Sequence, residues 1–229
     1  MTITPTTLTR AAGVAAGVAG LLFIGVQINH PHLDVTFVTT NEWVVRSTAK
    51  VLMAALALAG ITGMYLHQLR PTGILGLVGY LLFTAGYLVI MSIEFVAAYV
   101  LPSLVDTSPA YVSDVLAVAT GGTATGDIGL MQTANLVAGI GYLAGGLVFG
   151  IALFRARVLA RWAAALLALG AVATLAVPVL PTTLDRILAV PTGVALVGLG
   201  YSLWRTARTD TTTLLATVRS PHVTTAGAE

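Results

Sequence analysis

Six long apolar stretches constrain this chain more than any other feature of its sequence. They cover residues 11–27, 44–66, 74–100, 130–154, 158–177 and 187–204. Each is near or above the roughly 20 residues that an α-helix needs to cross a hydrocarbon core about 30 Å thick. The stretches are continuously apolar, whereas a strand of a membrane barrel is shorter and alternates apolar with polar residues. We therefore predict an all-α integral membrane bundle of six transmembrane helices.

The composition agrees with a chain that lies mostly in lipid. Of the 229 residues 57% are hydrophobic and 9% are charged, whereas soluble domains carry roughly 25% charged residues. Six spans fill residues 1–205 and leave no room for a soluble domain, so we predict one transmembrane domain. Residues 206–229 are rich in Thr and small residues, which is typical of a weakly ordered cytoplasmic tail. The chain has no cysteine, which excludes disulfides and thiol chemistry.

The basic residues predict the orientation. Cytoplasmic loops of membrane proteins carry an excess of Lys and Arg. In a six-helix threading one side holds Arg10, Arg70, Arg155, Arg157, Arg161, Arg205, Arg208 and Arg219, and the other holds Arg46, Lys50 and Arg186. Both termini are therefore expected in the cytoplasm, and the chain is expected to be a multi-pass protein of the bacterial inner membrane. The net charge of +2 reflects this topology, and no nucleic-acid partner is expected.

Several helices place polar residues in the outer third of the bundle. Glu94 lies about 20 residues into the third helix, roughly 30 Å from its cytoplasmic start. Ionisable groups inside a membrane are costly and therefore mark functional candidates. The acid–base candidates are Glu94, Asp185 and Glu42, and the candidate substrate contacts are Arg46, Lys50, Trp43, Tyr80, Tyr87, Gln132, Asn135 and Tyr142.

The expected site is a vestibule that opens to the outside or to the outer leaflet, with Glu94 near its floor. Glu42, Arg46 and Lys50 follow i, i+4 spacing, so Glu42 can pair with Arg46. Glu94 or Asp185 would then be the partner of Lys50. The loop 103–129 contains an amphipathic segment at 109–118, which we expect to form a short helical lid. In the alternative interpretation the interfacial charges only cap helices or reach the headgroups, and Glu94 is a structural bridge.

The sequence lacks the motifs of most intramembrane enzymes and cofactor sites. It has no phosphate loop, GxSxG elbow, HExxH helix or multi-histidine cluster. His30 and His32 flank Pro31, but they fall short of a three-ligand site, so neither a metal nor another cofactor is expected. Glycines spaced four apart, such as Gly13 with Gly17 and Gly141 with Gly145, favour close helix packing within the bundle, and a homodimer interface is the alternative. No internal repeat is apparent.

The stretch 28–69, which runs through HPHLD and EWVVRSTAK, and the Ala/Val/Gly/Leu-rich helices resemble the small polytopic membrane proteins common in high-GC actinobacteria. That resemblance implies a membrane protein and no particular activity. In size and helical build the chain is also similar to the small membrane-bound terpene cyclases of isoprenoid pathways. The cyclase likeness implies buried acids that protonate an alkene or open an epoxide, but it transfers no residue.

Three hypotheses for function follow. In the first, the protein is an intramembrane enzyme of the lyase or isomerase type, with Glu94 as general acid acting on a lipid-soluble isoprenoid. In the second, it is a small proton-coupled carrier in which Glu94 and Lys50 alternate partners. In the third, it is a non-catalytic accessory protein. The expected partners are membrane lipid and a hydrophobic small molecule.

Overall fold

The computed structural model describes residues 4–28, 31, 33–175 and 187–219, with side chains through residue 207 except that of Ile187. This part of the chain is helical and contains no strand. Its helices are α1 (Pro5–Gly25), α2 (Val35–Val38), α3 (Asn41–His67), α4 (Leu69–Tyr99), α5 (Leu101–Leu104), α6 (Pro109–Ala119), α7 (Met131–Ala156), α8 (Arg161–Ala173) and α9 (Val190–Arg219). A 3-10 turn at Ile187–Ala189 precedes α9.

The six apolar stretches coincide with α1, α3, α4, α7, α8 and α9. Four of these, α1, α3, α4 and α7, are long and apolar enough to cross a membrane. Their exposed surface is apolar: Leu81 is 54% exposed and Ile140 is 57% exposed. Helix α8 has 13 residues, which corresponds to a length of about 20 Å. The structure thus shows an all-helical fold with four candidate membrane spans.

Helix boundaries agree with or extend the predicted apolar stretches at three places. Helix α3 begins at Asn41, three residues before the predicted stretch, and the hydroxyl of its N-cap Thr40 accepts a hydrogen bond from the Trp43 amide at 3.2 Å. A left-handed Gly73, with φ 55° and ψ −150°, interrupts α4, so the continuous part begins at the predicted Ile74. Helix α9 continues beyond Trp204 to Arg219, through the first part of the expected tail.

The six long helices form a closed ring in the order α1, α3, α4, α7, α8 and α9, with α9 packed again on α1. Neighbours in the ring run antiparallel. Two contacts at each helix pair show this, because the residue number rises along one helix while it falls along the other. The contacts are Ala12–Gly63 and Ala16–Gly60, Thr48–Tyr99 and Thr62–Tyr80, Gly79–Phe149 and Gly86–Tyr142, Gly146–Ala171 and Gly150–Ala168, Gly170–Thr192 and Gly198–Ala163, and Gly13–Gly200 and Gly20–Gly193. The first turns of α1 therefore lie beside the middle of α9, where the Arg10 guanidinium lies 5.4 Å from the centre of the Trp204 ring.

Two crossings in the ring bring helix backbones into direct contact. At the α4–α7 crossing, a Cβ on Gly86 would lie 2.6 Å from the Tyr142 nitrogen. At the α1–α9 crossing, a Cβ on Gly13 would lie 2.7 Å from the Gly200 carbonyl oxygen. Small residues permit such an approach, which is the main source of helix association in lipid. The sequence predicted that glycines spaced four apart pack within the bundle, and the contact of Gly13 with α9 confirms that prediction at this position.

The two halves of the ring have the same order of packing. The first half packs α1 on α3 and α3 on α4, and the second packs α7 on α8 and α8 on α9. Because α1 and α7 start at opposite ends of the bundle, the second half runs in the opposite direction. Helix α4 carries Gly79 and Gly86 at the spacing at which α9 carries Gly193 and Gly200, but Tyr87 is buried whereas Tyr201 is 59% exposed. The expectation that the chain contains no internal repeat stays a prediction.

Two hydrophobic cores lie one above the other along the bundle. The larger core fills the ring and includes Phe83, Tyr87 and Phe149. The smaller core joins α2, α5, α6 and the loop before α7 to the upper turns of α3, and includes Trp43 and Leu116. We call the segment from Leu101 to Leu130, together with α2, the cap. The short helix predicted at 109–118 is confirmed as α6, Pro109–Ala119.

Candidate functional site

An ion pair between α3 and α4 lies at the boundary between the two cores. The Lys50 Nζ atom is 3.2 Å from the Glu94 Oε1 atom, and the two side chains are 21% and 20% exposed. Lys50 lies more than two turns into α3, and Glu94 lies five residues before the end of α4. Of the two partners that the sequence offered for Lys50, the structure brings Glu94 to it.

A small cavity of about 50 Å³ opens beside this ion pair. Its wall is mostly apolar, with contributions from the ring and from the cap. The lining residues are Leu33, Trp43, Lys50, Ile93, Glu94, Val96, Ala97, Leu101, Val115, Leu116, Ala119, Met131 and Asn135. The volume has room for only a few water molecules. Helix α6 covers part of the pocket through Leu116 and Ala119, and an opening of the pocket to the outside or to the outer leaflet stays a prediction.

The polar groups of the pocket have unused hydrogen-bonding capacity. An ammonium group has three donors, and the contact of Lys50 with Glu94 uses one of them. The Asn135 side-chain nitrogen donates to the Met131 carbonyl at 2.9 Å. Among the described residues, the Oε2 atom of Glu94 and the side-chain oxygen of Asn135 accept no hydrogen bond. Both donors and acceptors therefore remain for a bound molecule.

Trp43 ties the cap to the upper end of α4. Its ring nitrogen donates to the Ala97 carbonyl at 2.6 Å, and the side chain is only 5% exposed. The ring packs edge-on against Phe37, with centroids 5.7 Å apart. A tryptophan at a helix end often belongs to the interfacial belt, but this one belongs to the wall of the pocket.

Asp114 fastens the glycine-rich loop to α6. Its carboxylate accepts hydrogen bonds from the Thr125 amide at 3.0 Å and the Gly126 amide at 2.8 Å, and from the Thr125 hydroxyl. These hydrogen bonds hold the pKa of Asp114 below its usual value because they favour the charged form. The hydrogen bond from the Thr125 amide has the largest effect on the pKa. The loop between α6 and α7 is thereby held against the outer side of the cap.

Glu42 and Arg46 form a second ion pair, at 2.8 Å, as the i, i+4 spacing predicted. Glu42 is 54% exposed in its side chain. Arg46 also donates to the carbonyls of Val26 and Ile28 at 3.3 and 3.1 Å. These contacts close the end of α1 and join it to α3. Neither residue lines the pocket, so the pair acts here as a structural link.

The candidate tyrosines lie below the pocket, in the core of the ring. Tyr142 donates to the Thr192 hydroxyl at 3.0 Å and joins α7 to α9. The Tyr87 hydroxyl is buried and has no hydrogen-bond partner among the described residues. Tyr80 points to the other neighbour, α3, where its ring stacks on Tyr65 with centroids 4.5 Å apart. The two candidate tyrosines of α4 therefore lie in two different helix interfaces.

The structure brings four of the eleven candidate residues together around the pocket, namely Glu94, Lys50, Trp43 and Asn135. Gln132 is exposed and does not line it. Asp185 lies outside the described residues, as do His30, His32 and Arg186. No group of three residues in the described part of the chain is arranged to hold a metal ion.

Sequence reasoning missed the part of the site that comes from the cap. Leu116 and Ala119 of α6 close the pocket, and Asp114 holds the neighbouring loop. The amphipathic pattern at 109–118 predicted a helix and a lid, but it gave no register against α3 and α4. In a comparison with protein families, curated proteins and solved structures, no family, curated protein or solved structure matches the chain.

Proposed function

We propose that all six helices of the ring cross a bacterial inner membrane, with both ends of the chain in the cytoplasm. Helices α8 and α9 pack antiparallel in the same ring as the four longer apolar helices. The described arginines at helix starts and ends, such as Arg10, Arg70 and Arg161, belong to the end opposite the cap. The excess of basic residues in cytoplasmic loops supports an outward-facing cap.

The pocket beneath the cap is proposed to bind the polar end of a lipid-soluble molecule. The observation that carries this proposal is the Lys50–Glu94 ion pair, four-fifths buried beside an apolar cavity. A buried ion pair contributes little net stability compared with apolar residues of the same size, so its presence argues for a use other than stability. Because the cavity is small, a ligand enters when α6 moves away from α3 and α4.

Acid–base chemistry on an isoprenoid is the reaction that we propose for this pocket. The sequence predicted Glu94 as the general acid; because Lys50 lies 3.2 Å from it, we instead assign Glu94 the role of base and the Lys50 ammonium the role of acid. An isomerisation then balances: the substrate gives one proton to Glu94, receives one from Lys50, and the pair afterwards exchanges the proton. A covered, mostly apolar pocket favours such proton transfers because it excludes water.

Reconstitution tests both parts of the proposal. Wild type, Glu94→Gln and the distant control Glu42→Gln are placed in vesicles with a mixture of prenyl alcohols and prenyl epoxides, and bound and converted lipids are identified by mass spectrometry. We expect wild type and the control to convert a lipid that Glu94→Gln binds without conversion. Binding without conversion by all three proteins removes the enzyme and keeps the binding site. Retention of no lipid by any of them overturns the proposal.

The opposite direction of the two halves of the ring favours a carrier as the second candidate function. Halves of inverted topology are common in secondary transporters, whose sites lie where the halves meet. Here the halves meet at the α4–α7 and α9–α1 crossings, and α7 carries Asn135 beneath the cap and Tyr142 in the core. Uptake of a labelled ligand into sealed vesicles, driven by a proton gradient, distinguishes this function from conversion of the ligand within the membrane. If the protein neither transports nor converts the ligand, the non-catalytic accessory role is favoured.

A further inference from the structure

The ion pair restricts the charge of any molecule that binds beside it. A ligand that contacts Lys50 with an anion draws it away from Glu94, and a ligand cation on Glu94 does the same to Lys50. A charge left unpaired in a buried site is strongly unfavourable, because water no longer solvates it. A neutral ligand can bind the unused donors and acceptors without separating the pair, whereas a ligand with a single charge that displaces one partner leaves the other in that state. A zwitterion replaces both halves of the pair.

The unused hydrogen-bonding groups have the same two-sided character. Lys50 has donors left for an anionic oxygen, and the Oε2 atom of Glu94 and the Asn135 oxygen remain as acceptors for an ammonium group. A primary ammonium donates hydrogen bonds to both acceptors. A quaternary ammonium has no N–H group and donates a hydrogen bond to neither acceptor.

The position of the pocket suits a headgroup whose tails stay in the bilayer. It lies at the upper end of α4, where Phe95 and Tyr99 are 52% and 48% exposed beside Glu94. Aromatic side chains at this level are typical of the membrane interface. Only the polar end of a lipid then needs space within the protein once α6 has moved away from α3 and α4.

We propose that the pocket binds a zwitterion with a primary ammonium, and that this zwitterion is the headgroup of a phosphatidylethanolamine-type lipid. The ammonium binds Glu94 and Asn135, and the phosphate binds Lys50. This inference rests on the proposed function, since it names the polar end that the pocket takes. It goes beyond that function in excluding lipids that carry only one charge.

Native mass spectrometry of the delipidated full-length protein tests the inference directly. The probes are phosphatidylethanolamine, phosphatidylcholine and phosphatidylglycerol with identical tails, and soluble phosphoethanolamine. We expect phosphatidylethanolamine to bind wild type at least about tenfold more tightly than the other two lipids, a difference of about 1.4 kcal/mol. In the double variant Lys50→Met with Glu94→Gln this preference disappears. In Glu42→Gln with Arg46→Met, which changes the other ion pair, it remains.

Each outcome has one meaning. Equal binding of phosphatidylethanolamine and phosphatidylglycerol by wild type overturns the zwitterion while the binding site itself survives. Binding of soluble phosphoethanolamine as tightly as of the lipid supports the zwitterion but overturns the lipid as its source. Binding of none of the three phospholipids overturns this inference, whereas the proposed function is decided separately by the prenyl lipids in the reconstitution experiment. The comparison of lipids on wild type needs no variant, so a variant that fails to fold does not prevent the test.

Discussion

A double-mutant cycle on Lys50 and Glu94 measures how the protein uses its buried ion pair. Lys50→Met leaves the Glu94 carboxylate without its partner, and Glu94→Gln leaves the ammonium without its partner. Removing one half of a fully buried pair costs about 3–5 kcal/mol, and an exposed pair contributes about 0–1 kcal/mol. Because each side chain here is about one-fifth exposed, we expect each single change to lower the free energy of unfolding by about 1–3 kcal/mol.

The double variant should be no less stable than either single variant, because it contains no unpaired charge. The coupling energy is then about 1–3 kcal/mol. Reversible unfolding in mixed micelles, followed by circular dichroism, gives the four free energies. The same cycle on Glu42 and Arg46, where Glu42 is 54% exposed, serves as the control and should give about 0.5 kcal/mol or less. Additive effects at Lys50 and Glu94, or a coupling no larger than in the control, would refute the reasoning.

Three further predictions concern the ring and the cap. Gly86→Ala places a methyl group 2.6 Å from the Tyr142 nitrogen and should lower the unfolding free energy by about 1–3 kcal/mol, whereas Gly139→Ala, with no atom within 4 Å, should be neutral or stabilising. Trp43→Phe loses the hydrogen bond to Ala97 and should cost about 1 kcal/mol in the same assay. Hydrogen bonds lower the pKa of Asp114 in the folded protein. The stability that the Asp114 carboxylate contributes to the fold is therefore complete above the unfolded-state pKa near 3.8, and it is lost as the pH falls through the lower folded-state pKa. Hydrogen exchange in 109–126, compared between wild type and Asp114→Asn at each pH, should therefore show a wild-type protection at neutral pH that disappears in strong acid.

The sequence predicted the helices well because their length and apolar character are local properties. The start of the third span at Ile74 and the cap helix at 109–118 both follow from the residues in the segment itself. The Glu42–Arg46 pair was also predictable, since i, i+4 neighbours on one helix always lie close. Partners on different helices depend on rotation and register, which apolar periodicity does not determine. That is why the choice between Glu94 and Asp185 for Lys50 stayed open.

The site was only partly predictable for the same reason. A depth estimate placed Glu94 and Asn135 at one level, and the structure brings both to one pocket. Tyr80 and Tyr87 are spaced seven residues apart on one helix, yet they face different neighbours because α4 contacts both α3 and α7. The ring order was not predictable either, because it depends on contacts between helices far apart in the chain, such as α1 and α9.

Photo-crosslinking tests the central claim, that a lipid-soluble molecule binds beneath the cap, most directly. A phosphatidylethanolamine with a diazirine on its headgroup is activated in vesicles that contain the full chain, and the labelled peptides are sequenced. We expect label on Ala97, Leu116 and Met131, which line the pocket. An excess of unmodified lipid should remove that label. Label confined to outward-facing residues such as Leu81 and Ile140, unchanged by competition, would contradict it.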